Sequence, residues 1–133
     1  MQIDKINHLG IAVENLEQAA QVYEMLGLHI EKVIEVPEQK VRVAFIPVGE
    51  STIELVQPTS EESTVAAYLE KRGQGLHHLA LQVEDISAAL SELESQGMRL
   101  IDRSPRQGAE GKIAFLHPKS TGRVLIELVE GKS

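Results

Sequence analysis

His8 and His78 head two copies of one short pattern, His8-Leu9-Gly10-Ile11-Ala12-Val13 and His78-Leu79-Ala80-Leu81-Gln82-Val83. Glu54 and Glu127 sit inside two copies of another, Ile53-Glu54-Leu55-Val56 and Ile126-Glu127-Leu128-Val129. Imidazole nitrogen and carboxylate oxygen are the usual ligands of Zn²⁺, Co²⁺, Ni²⁺, Fe²⁺ and Mn²⁺. Two neutral imidazoles and two carboxylates balance a dication. A six-coordinate ion held by these four would keep about two positions for water or substrate. A lone histidine in a strand is more often packed or at the surface. Repetition of both residue types at matching places is what argues for a shared ion. His77 is the control: its repeat counterpart is Asn7, and it is read as structural. His29 and His117 also lack histidine counterparts.

The elements that must position these groups repeat as well. An offset of 70 residues (His8 to His78) also pairs Asn15 with Asp85, Ala19 with Ala89, Gly27 with Gly97 and Phe45 with Phe115. The offset then becomes 73 (Ile53 to Ile126), so three residues are inserted between Leu116 and Ile126. Each copy opens with alternation, Leu9, Ile11 and Val13 against His8, Gly10 and Ala12, which predicts a half-buried strand. The apolar set should pack under a helix, leaving the histidine on the other face. Asn15 and Asp85 are N-cap residues, and Gln18 completes a capping box. Apolar stripes follow at helical spacing, and Gly27 and Gly97 are stops. Three strands are expected next, near 28–36, 40–47 and 51–57 in copy one and near 99–103, 112–117 and 123–130 in copy two. A short helix is expected over Thr64 to Arg72 in the connector. The fold class is α+β: one domain over 1–133, built from βαβββ modules at about 5–57 and 76–130, joined by 58–75.

Composition excludes several functions. The 13 basic and 20 acidic residues give a net charge of −7, so no general field attracts a nucleic acid. Aromatics are 3% of the chain, too few for a base-stacking platform. There is no Cys, which excludes disulfides, thiolate metal sites and a Cys nucleophile and fits a cytoplasmic protein. No apolar run approaches the roughly 20 residues of a membrane span. The start, Met1-Gln2-Ile3-Asp4-Lys5, does not read as a secretory signal.

The paired modules with His…Glu…His…Glu resemble the vicinal-oxygen-chelate superfamily. Four stretches resemble its methylmalonyl-CoA epimerase family: Asn7 to Val13, Val36 to Val41, Gly75 to Ala80, and Gly108 to Lys112 running into Phe115 to Lys119. The resemblance covers nearly the whole chain. It implies a curved, barrel-like mixed sheet around one metal-binding cleft. It implies an isomerase that interconverts (R)- and (S)-methylmalonyl-CoA through an enolate. His8, Glu54, His78 and Glu127 would then hold one divalent ion per chain, commonly cobalt, with zinc, nickel or manganese as alternatives. Glu38 and Glu127 would be the acid/base pair on opposite faces of the α-carbon. Some members carry Gln where Glu54 stands, and Glu38 has no repeat partner, falling opposite Gly108. For the acyl-CoA substrate, Lys112, Lys119 and Arg123 are candidates to meet phosphates. Gly108 and Gly111 could let backbone N–H groups approach. A homodimer is expected from the resemblance alone.

Two rivals share the scaffold. Glyoxalase I uses the same four ligand positions, but its relatives commonly carry an Asp-Pro-Asp/Asn-Gly turn where this chain has His117-Pro118-Lys119-Ser120-Thr121-Gly122. A non-catalytic, antibiotic-sequestering protein tends to lose the ligand quartet, which is intact here.

Overall fold

The computed structural model describes residues 1–131; the last two residues of the expected domain lie outside them. The elements run β1 (Ile3–Ala12), α1 (Leu16–Met25), β2 (Lys32–Val36), β3 (Val41–Val48), β4 (Ser51–Pro58), α2 (Thr64–Arg72), β5 (Gly75–Val83), α3 (Ile86–Ser95), β6 (Arg106–Gly108), β7 (Gly111–Phe115) and β8 (Ile126–Glu130). The order is βαβββ, a connecting helix, and βαβββ again. The fold is α+β. The chain divides into two compact units, one over His8–His77 and the other combining Met1–Asn7 with the chain from His78 onward.

In the His8–His77 unit, the strands lie in the order β2-β3-β4 and then the second half of β1. β1 runs parallel to β4, while β2, β3 and β4 are antiparallel neighbours. A parallel pair needs a crossover, and α1 supplies it. α1 starts where Asn15 Oδ1 accepts the Gln18 amide at 2.8 Å. A second free amide, that of Leu16, donates to Gln57 Oε1 on β4 at 2.8 Å. Gly27, at φ 85°, ends the helix, its left-handed backbone letting Leu28 N return to the Tyr23 carbonyl. The core under α1 gathers Val13, Leu16, Ala20, Ala44, Ile46 and Leu55. Ile11 packs against that core but Leu9 stays 36% exposed. The expected apolar face of β1 is therefore covered only toward its C-terminal end, where α1 lies.

The other unit repeats this. β5 is parallel to β8, and β6, β7 and β8 are antiparallel neighbours. Asp85 Oδ1 accepts the Ala88 amide at 3.0 Å, and Glu130 Oε2 on β8 accepts the Ile86 amide at 3.1 Å. Glu130 is the repeat counterpart of Gln57, so the same strand-to-helix tie recurs with a charged acceptor. Gly97, at φ 91°, closes α3, and Met98 N returns to the Leu93 carbonyl. Val83, Ile86, Ala89, Leu90, Leu93, Ala114, Leu116 and Leu128 form the core.

Three strand boundaries differ from the sequence expectation. The strand expected near 28–36 is hydrogen-bonded as a ladder only over 32–36. The strand expected near 99–103 is absent; Leu100 makes a single bridge to Leu116, and the edge strand is β6 at 106–108. Asp102 Oδ2 takes the Phe115 amide at 2.8 Å while the Ile101 and Asp102 amides share the Phe115 carbonyl, which breaks the regular ladder. β8 starts at Ile126 rather than 123, because Gly122 (φ 68°) and Arg123 (φ 72°) turn the chain first. That turn, with the 3-10 segment Pro118–Ser120, holds the three inserted residues. Among the described residues, no helix is long and apolar enough to cross a membrane.

Candidate metal centre

Strand register decides where each histidine and glutamate points. Gly10 of β1 lies opposite Glu54 of β4, and Ala80 of β5 lies opposite Glu127 of β8. Each glutamate thus faces a residue with little or no side chain. Its carboxylate can lean toward the histidine two positions earlier on the neighbouring strand. His8 Nδ1 stands 2.9 Å from Glu54 Oε2, and His78 Nε2 stands 3.0 Å from Glu127 Oε1. All four residues are buried. Buried charge without a partner is costly, so such pairs are either hydrogen-bonded or bound to a metal.

The separations fit a metal shell. Two donors each about 2.1 Å from one ion, at right angles, stand about 3.0 Å apart. A neutral imidazole N–H donating to a carboxylate has the same spacing. The donor set is of borderline hardness, which suits first-row divalent ions. His8, His78 and Glu127 are buried groups of a kind that could hold a metal ion.

A phenylalanine completes each pair. Phe45 is opposite Glu54 and Phe115 is opposite Glu127. The His78 and Phe115 rings meet edge-on, with centroids 5.8 Å apart. Each of these phenylalanines carries a cation: Lys32 Nζ lies 5.2 Å over Phe45, and the Arg106 guanidinium lies 5.4 Å over Phe115. Sequence reading paired the two phenylalanines by the repeat but gave them no role. The alternation of β3 and β7 could have placed them on the glutamate face.

The other sequence candidates lie on several elements. His77 is half-buried and its ring meets Tyr68 edge-on at 4.9 Å, away from the His78 face by strand parity. Glu38 is exposed on the 3-10 turn Pro37–Gln39 between β2 and β3. That turn is fixed by Lys40, which holds φ 55°, returns its N–H to Pro37, accepts the Thr59 amide and pairs with Glu62. Gly108 and Gly111 close the β6–β7 hairpin. A Cβ on Gly108 would come 2.6 Å from Ile113 Cγ2, so any larger residue there forces a shift. Lys112 alternates with Ile113 on β7 and shares the α3 side with Ala114. Lys119 and Arg123 are exposed at the opposite end of β7, on the inserted turn. The five candidates therefore form two groups, separated along β7.

Comparison with known proteins identifies the family. Residues 7–115 match the Glyoxalase/Bleomycin resistance protein/Dioxygenase superfamily. The chain belongs to that superfamily. Within it, the chain belongs with the methylmalonyl-CoA epimerases. It is 41% identical over 130 residues to the ethylmalonyl-CoA/methylmalonyl-CoA epimerase of Cereibacter sphaeroides, covering 95% of this chain and 97% of that one. The crystal structure of methylmalonyl-CoA epimerase from Mycobacterium tuberculosis superposes with a TM-score of 0.93 at 38% identity, over 98% of this chain and 90% of that one. A methylmalonyl-CoA epimerase in complex with methylmalonyl-CoA and NH4+ gives a TM-score of 0.94 at 34% identity, over 99% and 97%.

Proposed function

We propose that this protein is a metal-dependent epimerase that interconverts (R)- and (S)-methylmalonyl-CoA. The observation that carries the reading is the pair of buried His–Glu contacts at repeat-equivalent places, His8 with Glu54 and His78 with Glu127. The substrate follows from the relatives, one of which is held with methylmalonyl-CoA. On this reading His8, Glu54, His78 and Glu127 hold one divalent ion, cobalt before zinc, nickel or manganese, in one cleft of a single domain. A cation there supplies Lewis-acid stabilisation of the charge that develops on the thioester oxygen when the α-proton leaves.

The chain supplies the proton transfers. Glu127 keeps one carboxylate oxygen for the α-proton while the other serves as ligand, and so acts on one face of the carbon. Glu38 serves the opposite face from its turn, returning a proton there. Two groups are needed because a single base returns the proton to the face it came from. Gly108, Gly111, Lys112, Lys119 and Arg123 remain candidates for the CoA arm. The proposal includes a homodimer, as the resemblance implies, and a cytoplasmic location.

Incubation of one methylmalonyl-CoA epimer in deuterated solvent tests the proposal. Uptake of one α-deuteron together with appearance of the other epimer is expected. Turnover of the methylglyoxal–glutathione adduct without deuterium uptake into methylmalonyl-CoA would refute it and favour glyoxalase I.

A further inference from the structure

Arg106 was not among the residues that sequence suggested, yet its guanidinium meets two neighbours at once. It lies on β6 opposite Ile113, and Ile113 shares with Phe115 the face of β7 that carries Glu127. Its guanidinium covers the Phe115 ring at 5.4 Å. Its Nε meets Asp102 Oδ2 at 3.4 Å, and that same oxygen is held by the Phe115 amide at 2.8 Å. Asp102 thus pairs with the guanidinium edge while the ring supports its plane. A guanidinium held at both points loses little further freedom when it binds an oxyanion. The ion pair uses Nε, which leaves the two terminal amino groups for a ligand. They form the fork that matches a phosphate.

We propose that Arg106 is a substrate-positioning residue that receives a phosphate of the CoA arm, a proposal that rests on the acyl-CoA reading above. The choice of phosphate over the substrate's own carboxylate follows from position. His78 and Arg106 both contact the Phe115 ring, so the guanidinium stands one side chain out from the His78–Glu127 pair. A three-carbon malonyl unit held at that pair ends short of it, whereas the phosphates are carried outward on the pantetheine chain. Arg106 is also half-exposed, on an edge strand, where a long ligand arm could reach it from solvent. The chain carries a net charge of −7, so a polyanionic arm gains nothing from the general field and needs a local cation. Lys112 faces the other side of β7, which leaves this place on the Glu127 face to Arg106.

The test compares two substrates in parent and Arg106→Gln enzyme: methylmalonyl-CoA, and the methylmalonyl thioester of pantetheine, which has the same acyl group and no phosphate. The readout is the ratio of kcat/KM for the CoA ester to that for the pantetheine ester. The ratio should fall about tenfold in Arg106→Gln, the worth of one charge-assisted hydrogen bond to a half-exposed phosphate. Arg106→Lys should recover part of it, because it restores charge without the fork. An unchanged ratio overturns the proposal, whether both esters slow together or neither does. Failure of the epimerase reading is separable: the parent would turn over neither ester. Displacement binding of CoA itself then tests Arg106. About tenfold weaker binding in Arg106→Gln supports the phosphate contact, and equal binding refutes it.

Discussion

The two proposed bases, Glu38 and Glu127, sit in opposite environments, and this makes them separable by one substitution each. Glu38 is exposed on a turn, so Glu38→Gln should change stability by no more than about 0.5 kcal/mol. It should keep its metal and still bind the CoA ester. Loss of a positioned acid/base group should lower epimerisation by about 10²–10⁴, or about 2.7–5.5 kcal/mol of transition-state stabilisation. Glu127 is 5% exposed and 3.0 Å from His78 Nε2. Glu127→Gln removes a buried anion from the proposed ion and from the proton path together. Metal affinity and turnover should therefore fall in the same variant. Metal content by inductively coupled plasma mass spectrometry, α-proton exchange by NMR in deuterated solvent and epimer inversion should be followed side by side. In Glu38→Gln one epimer should still exchange its α-proton through Glu127 while the other does not. Epimerisation of Glu38→Gln at the parent rate would refute the reasoning and reduce Glu38 to a turn residue.

Other outcomes follow from the packing. Gly108→Ala places a methyl 2.6 Å from Ile113 Cγ2; overpacking of this kind costs about 1–3 kcal/mol and should lower Tm in a thermal melt. Asn15→Ala and Asp85→Ala each remove a helix cap and should cost about 1 kcal/mol, adding nearly fully in the double variant when unfolded by denaturant. Glu17, exposed in the first turn of α1, has its carboxyl held below the ordinary value by its own backbone N–H and then by Arg42. A lowered folded value means stability present above the unfolded pKa and lost as pH falls through the folded one. Melts from pH 7 down to pH 3 should thus show Glu17→Gln losing less than the parent.

The two buried His–Glu pairs of the candidate site were legible in the sequence because the repeat supplied an internal comparison. His8 and His78 could be separated from His77 by strand parity alone, and the structure places His77 against Tyr68 instead. The caps at Asn15 and Asp85 and the stops at Gly27 and Gly97 are local chemistry, and local chemistry is written in short windows. Features that need register were hidden. Gln57 and Glu130 cap helices more than forty residues away in sequence, which no local pattern announces. Asp102 replaces a strand contact with a side-chain one, so the strand expected near 99–103 moved to 106–108. Leu9 alternates correctly with Ile11 yet stays exposed, because alternation gives the face and not how far the covering helix extends. Arg106 gained meaning only once β6 was registered against β7.

Metal content per chain tests the central claim most directly, measured on the purified parent and on His8→Ala, His78→Ala and His77→Ala after equal exposure to cobalt and desalting. The account predicts one ion per chain in the parent and in His77→Ala, and loss of the ion in His8→Ala and His78→Ala. Retention of the ion by His78→Ala together with its loss from His77→Ala would contradict it.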